Sequence, residues 1–198
     1  MLAAGTAEFA AWGYGGATLD AIAARAEVTK GGLYFHFAGK EELFFAVLDH
    51  WREHRRRVLR VPVAGAEPAA ATLRAFLAAY VAFHFREPAA AQLQRVLATE
   101  LRSGFTARLR EDDRQERRWL RACLRELLVL GAQDGSLSCA DPALAAFLLT
   151  ASVIGVVEQW QTAPADVEAH CDEEQLAAAL VAPFVTGSAP DRSRAGGT

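Results

Sequence analysis

Apolar residues recur at three- and four-residue spacing along almost the whole chain, and the strict alternation of a half-buried strand is missing. The pattern predicts a short amphipathic helix over 2–12, "LAAGTAEFAAW", with Leu2, Phe9 and Trp12 as its large apolar residues and "GYGG" as its stop. A second helix starts after Thr18, a good N-cap with Asp20 in the first turn, and runs to about Ala26. Thr29 is the next N-cap candidate, so only a short turn separates that helix from the one that follows. A longer helix begins near Lys40 and carries Leu43, Phe44, Val47, Leu48, Trp51 and Val58 on one stripe. After the loop "VPVAGAEP" at 61–68, helices are predicted at about 69–86, 89–102, 105–133, 141–162 and 172–185. The final segment, 187–198, holds nothing to bury and is expected to be disordered. The fold class is all-α.

The two short helices near the start form a helix-turn-helix pattern. Ile22, Ala23, Ala26, Val28, Leu33 and Phe37 are the apolar set expected to pack the pair together. The second helix opens the stretch "TKGGLYFHF", an arrangement that suits a reader of DNA rather than a core element. Gly31 and Gly32 lie in its first turn, where a missing side chain lets backbone approach a phosphate or a base edge. Thr29 and Lys30 stand at its N-terminus, where the helix dipole favours an anion. Tyr34 and His36 can donate to phosphate oxygens, and Lys40 can fix a further phosphate. A major groove is wide enough to admit such a helix. Leu33 and Phe37 read as packing residues.

"EFAAWGYGGATLDAIAARAEVTKGGLYFHFAGKEELFFAVLD" resembles the DNA-binding region of the TetR family of transcriptional regulators. The shared features are the phenylalanine and Gly-Tyr closing the first helix, the threonine before the second, the "IA" within it, and "G-x-LY-x-HF-x-x-K-x-x-L". The resemblance covers roughly the first quarter of the chain. It implies an all-α homodimer, with a three-helix DNA-binding domain at 1–45 and a ligand-binding and dimerisation domain at 46–186. Carried over by position, Thr18, Thr29, Lys30, Gly31, Tyr34, His36 and Lys40 are the expected DNA-contacting residues. It also implies repression of a near-palindromic operator, relieved by a small molecule, and an apolar cavity with a few polar anchors among the later helices would suit a lipophilic or aromatic effector. Two features depart from the family pattern: no basic arm precedes the first helix, and Glu27 occupies a turn position where glycine is common. A glutamate there is strained if its φ is positive. The alternative is a small-molecule-binding or structural dimer whose DNA binding is lost or weakened without the arm.

In the second part, the informative residues are polar groups inside apolar stripes: Tyr80, His84, Glu100, Ser152 and Glu158. Buried, each needs a partner, which a ligand can supply. Phe76, Trp119 and Cys123 accompany them as candidate ligand contacts. The helices at 141–162 and 172–185 are rich in Ala, Leu and Val, which would also suit internal packing; the resemblance implies that they form the homodimer interface.

Composition narrows the class further. At 52% hydrophobic and 23% charged residues, the chain is globular in type. The net charge of −3 divides unevenly: residues 1–60 hold eight Lys or Arg against seven Asp or Glu, and the remainder thirteen against seventeen. That sign suits an N-terminal part that meets a polyanion. Cys123, Cys139 and Cys171 are scattered, which fits neither a disulfide framework nor a zinc site. His50 and His54 have metal-ligand spacing, but the neighbouring Arg55–Arg57 run would repel a cation and reads as a solvated face. No nucleophile motif or phosphate-cradling glycine loop stands out, so an enzyme is not expected, nor a cofactor. The apolar run "FLLTASVIGVV" has the length of a buried helix rather than of a membrane span, and no signal-peptide pattern opens the chain, which places it in the cytoplasm.

Overall fold

A computed structural model describes residues 1–59, 67–103, 107–163, 165 and 172–185, side chains excepted at 98–103. Among the described residues the chain forms nine α-helices. They are α1 (Leu2–Gly16), α2 (Leu19–Arg25), α3 (Lys30–His36), α4 (Lys40–Val58), α5 (Ala69–Arg86), α6 (Pro88–Ser103), α7 (Ala107–Asp134), α8 (Pro142–Thr162) and α9 (Glu173–Val181). A single 3₁₀ turn, Ala182–Phe184, follows. The tail at 187–198 and most of the 61–68 loop lie outside the described residues.

The helix starts follow from side-chain chemistry. Thr18 accepts from the amide of Ala21 at 3.2 Å, and Thr29 from that of Gly32 at 3.0 Å. Asp141 accepts from Ala143 and Leu144 ahead of α8, and Asp172 forms a capping box with Gln175 ahead of α9. Two boundaries differ from the sequence expectation. Around Gly13, whose φ is 67°, α1 breaks and then continues to Gly16. That break sets Tyr14 against Phe9 and Phe44, at 6.1 and 5.1 Å between ring centres, and leaves Trp12 67% exposed rather than packed. The last helix ends at Val181, because Pro183 in the following turn has no amide hydrogen to continue the ladder.

Two apolar cores divide the molecule. One is built from α5, α7, α8 and α9, with Leu73, Leu77, Val81, Leu124, Leu128 and Val153 at its centre. The other holds Phe9, Ile22, Leu33, Leu43, Phe44 and Val47 from α1–α4. Leu93, Val96 and Leu97 of α6 and Leu109 of α7 belong to this second core, so α6 packs directly on α1. The N-terminal helices are therefore seated on the helical body rather than tethered beside it.

By length and composition, α8 could cross a membrane, although a third of it is buried in the fold. Its inner side packs on α7 and α5. Its outer side exposes Leu144, Phe147 and Leu148, each a little over half accessible, with Ala151 next along the stripe.

Candidate functional site

The helix-turn-helix unit is closed by Ile22, Ala23 and Leu33, with Val28 and Phe37 partly buried against them. The turn is held by the Val28 amide donating to Ala23 O at 3.0 Å. Glu27 in this turn has φ 55°, the left-handed conformation that a glycine would adopt freely. For an L-residue that conformation costs about 1–2 kcal/mol.

With Leu33 turned inward, α3 presents Lys30, Gly31, Tyr34, Phe35 and His36 to solvent. The two capping threonines each accept a backbone N–H through oxygen, which leaves the hydroxyl hydrogen free to donate outward. Lys30 meets Asp20 of α2 at 2.8 Å, and this hydrogen bond raises its pKa and keeps it charged. A side chain added at Gly31 would meet nothing of the protein closer than 3.9 Å, so the space outside this backbone is open. The ammonium of Lys40 is half-buried and otherwise engaged. It donates to the carbonyls of Gly15 and Ala17 at 3.3 and 3.0 Å and lies 4.7 Å from the centre of the Tyr14 ring. Lys40 thus ties the start of α4 to the end of α1. Phe35, which sequence reasoning did not place among the candidates, is 87% exposed at the tip of α3. Its place two residues after buried Leu33 on a helix was the available signal.

A cavity of about 90 Å³ lies between α4, α5, α6, α7 and α8. Its apolar wall includes Leu48, Phe83, Leu93, Leu97, Leu120 and Val157. Its polar wall is heavily charged: Arg52, Arg55 and Arg117 stand with Asp113, Glu116 and Glu158, beside Tyr80, His84, Gln94 and Gln161. Of the eight candidate ligand contacts, Tyr80, His84 and Glu158 line this space. Phe76 is buried in the C-terminal core, and Cys123 packs against that core. Trp119 backs the arginines from outside the lining, with Arg55 and Arg56 at 5.8 and 5.2 Å from its ring centre. Ser152 is exposed on the outer side of α8, and the side chain of Glu100 lies outside the described residues.

Of the Arg55–Arg57 run expected to be a solvated face, Arg56 and Arg57 are exposed and only Arg55 is buried. Arg52 and Arg55 are each only 8% exposed, since α7 runs alongside and brings acids to them. Arg52 donates to Asp112 at 2.5 Å, and Arg55 to Glu116 at 2.5 Å; Arg56 reaches the other oxygen of Glu116. Even so, Arg52 Nη2, Arg55 Nε and Gln161 Nε2 are buried without a hydrogen-bond partner among the described residues. His84 is 1% exposed and its Nδ1 lies 2.9 Å from the carbonyl of Tyr80. A carbonyl only accepts, so Nδ1 carries the hydrogen and Nε2 the lone pair. Burial, and then the charge of Arg55, push the His84 pKa down to about 4, so the ring is neutral. Burial likewise raises the Tyr80 phenol.

Leu48, Leu93 and Leu97 line the cavity and also belong to the core of α1–α4. Trp51, another lining residue, donates its indole N–H to Thr6 of α1 at 3.1 Å. The cavity wall and the helix-turn-helix support are therefore in part the same side chains. Among the described residues, no cluster of His, Cys, Asp and Glu could hold a metal ion.

Known proteins share this fold. The family described as "Bacterial regulatory proteins, tetR family" matches residues 1–47, and "Tetracyclin repressor-like, C-terminal domain" matches residues 66–162. No curated protein matches the chain. Among solved structures, a SmeT–triclosan complex superposes with a TM-score of 0.82 at 24% identity, over 94% of this chain and 90% of that one. SmeT, the repressor of the Stenotrophomonas maltophilia multidrug efflux pump SmeDEF, also matches at 24% identity and a TM-score of 0.74, over 94% and 89%. AibR in complex with isovaleryl coenzyme A and operator DNA matches at 22% identity and 0.66, over 93% and 95%. Family matches over both parts of the chain, joined in one fold of this architecture, carry the conclusion: the chain belongs to the TetR family of transcriptional regulators.

Proposed function

We propose that the protein is a ligand-responsive repressor that binds a near-palindromic operator as a homodimer and is released by a small effector held in the cavity. Residues 1–45 act as the reading head and 46–186 as the effector and dimerisation body. In each subunit α3 enters a major groove. Lys30, Tyr34 and His36 reach phosphates or base edges, Gly31 gives backbone access, and Thr18 and Thr29 donate their hydroxyl hydrogens to phosphate. Lys40 contributes through the position it gives α1 and α4, and its remaining ammonium hydrogen is available to the backbone of DNA.

The observation that carries this reading is the shared wall. Leu48, Leu93, Leu97 and Trp51 face the cavity on one side and the support of the reading head on the other. An occupant that moves α4 or α6 must move α1, and so shift the population towards a dimer whose reading heads no longer match the half-site spacing. The exposed stripe of α8 supports pairing with a second copy: a side chain added at Gly155 would meet nothing within 4 Å, which leaves room for a partner helix. In this reading α9 borders the same interface. The similar chains named above include a repressor, a triclosan complex and a complex with an acyl coenzyme A and operator DNA, which supports joining both roles in one molecule. Such a protein works in the cytoplasm, beside the DNA.

Fluorescence-anisotropy titration of labelled fragments from the protein's own locus, with and without candidate effectors, tests this. Tight binding to one fragment, lost on adding a compound that binds the cavity, is the expected result. A compound that fills the cavity and leaves operator affinity unchanged would contradict it.

A further inference from the structure

Resting on the reading of the cavity as the effector site, we infer that the effector is a small carboxylic acid with an apolar body, bound by Arg52 and Arg55 through its carboxylate. Each buried polar side-chain atom without a partner among the described residues is a nitrogen with hydrogens to give: Arg52 Nη2, Arg55 Nε and Gln161 Nε2. All three residues line the cavity. A ligand that completes this site must bring acceptors, and a ligand carrying only donors would meet three more donors.

Charge then selects among acceptors. Arg55 already pairs with Glu116, and Arg117 pairs with Asp113 at 2.8 Å. A dianion such as phosphate would enter beside Asp113, Glu116 and Glu158 and be repelled by all three. A single carboxylate asks less of the site and can accept from two arginines in a charge-assisted fork. Its body would rest on Leu93, Leu97, Phe83, Leu120 and Val157. A cavity of about 90 Å³ has room for roughly half a dozen water-sized groups, which sets the scale of the acid.

The position of the two arginines gives the acid its leverage. Both stand on α4, the helix whose first residue, Lys40, holds the end of α1. Their partners on the facing helix α7 are Asp112 and Glu116, while Arg52 also meets Asp49 of α4 at 3.2 Å. A carboxylate taken by Arg52 and Arg55 competes with those partners and loosens the tie between α4 and α7.

The test uses the full-length protein and three probe acids, butyrate, hexanoate and benzoate, each against its primary amide. Calorimetric titration of the wild type is expected to show binding of at least one acid and binding of its amide about tenfold or more weaker, the loss of a charge-assisted bond. Arg55→Met and Gln161→Leu are each expected to weaken the acid, the former by about tenfold or more. Equal binding of acid and amide, or no binding of any acid at millimolar concentration, overturns the inference, and neither comparison needs a variant that folds. Failure of the wider reading looks different: an acid that binds through Arg55 without lowering operator affinity keeps the site and refutes its role as effector.

Discussion

Glu116 is where the helix that carries the reading head is fastened to the body, and its replacement by glutamine gives the clearest energetic prediction. One carboxylate serves Arg55 at 2.5 Å, Arg56 through its second oxygen, and Arg52 at 3.9 Å. The Glu116 side chain is 15% exposed and that of Arg55 9%, whereas that of Arg56 is 41% exposed. Exposed pairs contribute at most about 1 kcal/mol, so Arg56 matters little. Breaking a buried pair costs about 3–5 kcal/mol, because the remaining charge is left without compensation. Glutamine keeps one neutral acceptor, roughly half as strong as the charged one, and Arg52 keeps Asp112. Glu116→Gln should therefore destabilise the fold by about 2–3 kcal/mol. In a chain of this size that lowers Tm by about 4–12 °C. Urea unfolding at fixed protein concentration measures it, with the concentration held so that self-association cannot alter the comparison. Replacing the pair together, Arg55→Met with Glu116→Met, should recover much of the loss. A Glu116→Gln variant within about 0.5 kcal/mol of wild type, the range of an ordinary surface change, would refute the claim that this carboxylate fastens α4.

Other outcomes follow from the same geometry. His84 is held neutral with its pKa near 4 against an ordinary 6.5, so its contribution to stability is complete above pH 6.5 and lost as the pH falls towards 4; the loss reaches about 3 kcal/mol, and His84→Gln should remove that part of the pH dependence in paired unfolding curves. Matching slopes for the two proteins would show that the ring does not resist protonation. Lys30→Ala should weaken operator binding and reduce its salt dependence by about one phosphate contact, while Tyr34→Phe isolates the hydroxyl; unchanged affinity in either variant removes that group from the reader. Phe147→Asp on the exposed stripe of α8 should convert a dimer to a monomer in sedimentation, and an unaltered dimer would place the interface elsewhere.

The helical pattern made most of the fold legible, because threonine and aspartate caps and glycine or proline stops mark helix ends locally. Thr18, Thr29 and Asp172 each cap as their residue type suggests. The strained turn was legible too: Glu27 stands where a glycine is usual, and its φ is positive. Long-range partners were not legible. Arg55 reads as part of a solvated run until α7, some sixty residues on, brings Glu116 against it, as Asp112 meets Arg52. For the same reason the cavity is more charged than the apolar stripes of α5–α8 suggested, and Ser152, though on an apolar helix, belongs to its outer side. Lys40 shows a further limit. Its place after the aromatic stretch suggests a phosphate contact, but only the fold reveals that the carbonyls of Gly15 and Ala17 already occupy its ammonium.

The central claim is that one molecule reads DNA with α3 and answers to what fills the cavity through α4 and α6. It is tested most directly by anisotropy titration of the wild-type protein on DNA flanking its own coding region, at two salt concentrations, with and without a cavity-binding acid. The account predicts tight, sequence-dependent binding that falls steeply with salt and is further weakened by the acid. Weak binding indifferent to sequence would contradict the reading head, and operator binding that ignores the bound acid would contradict the coupling.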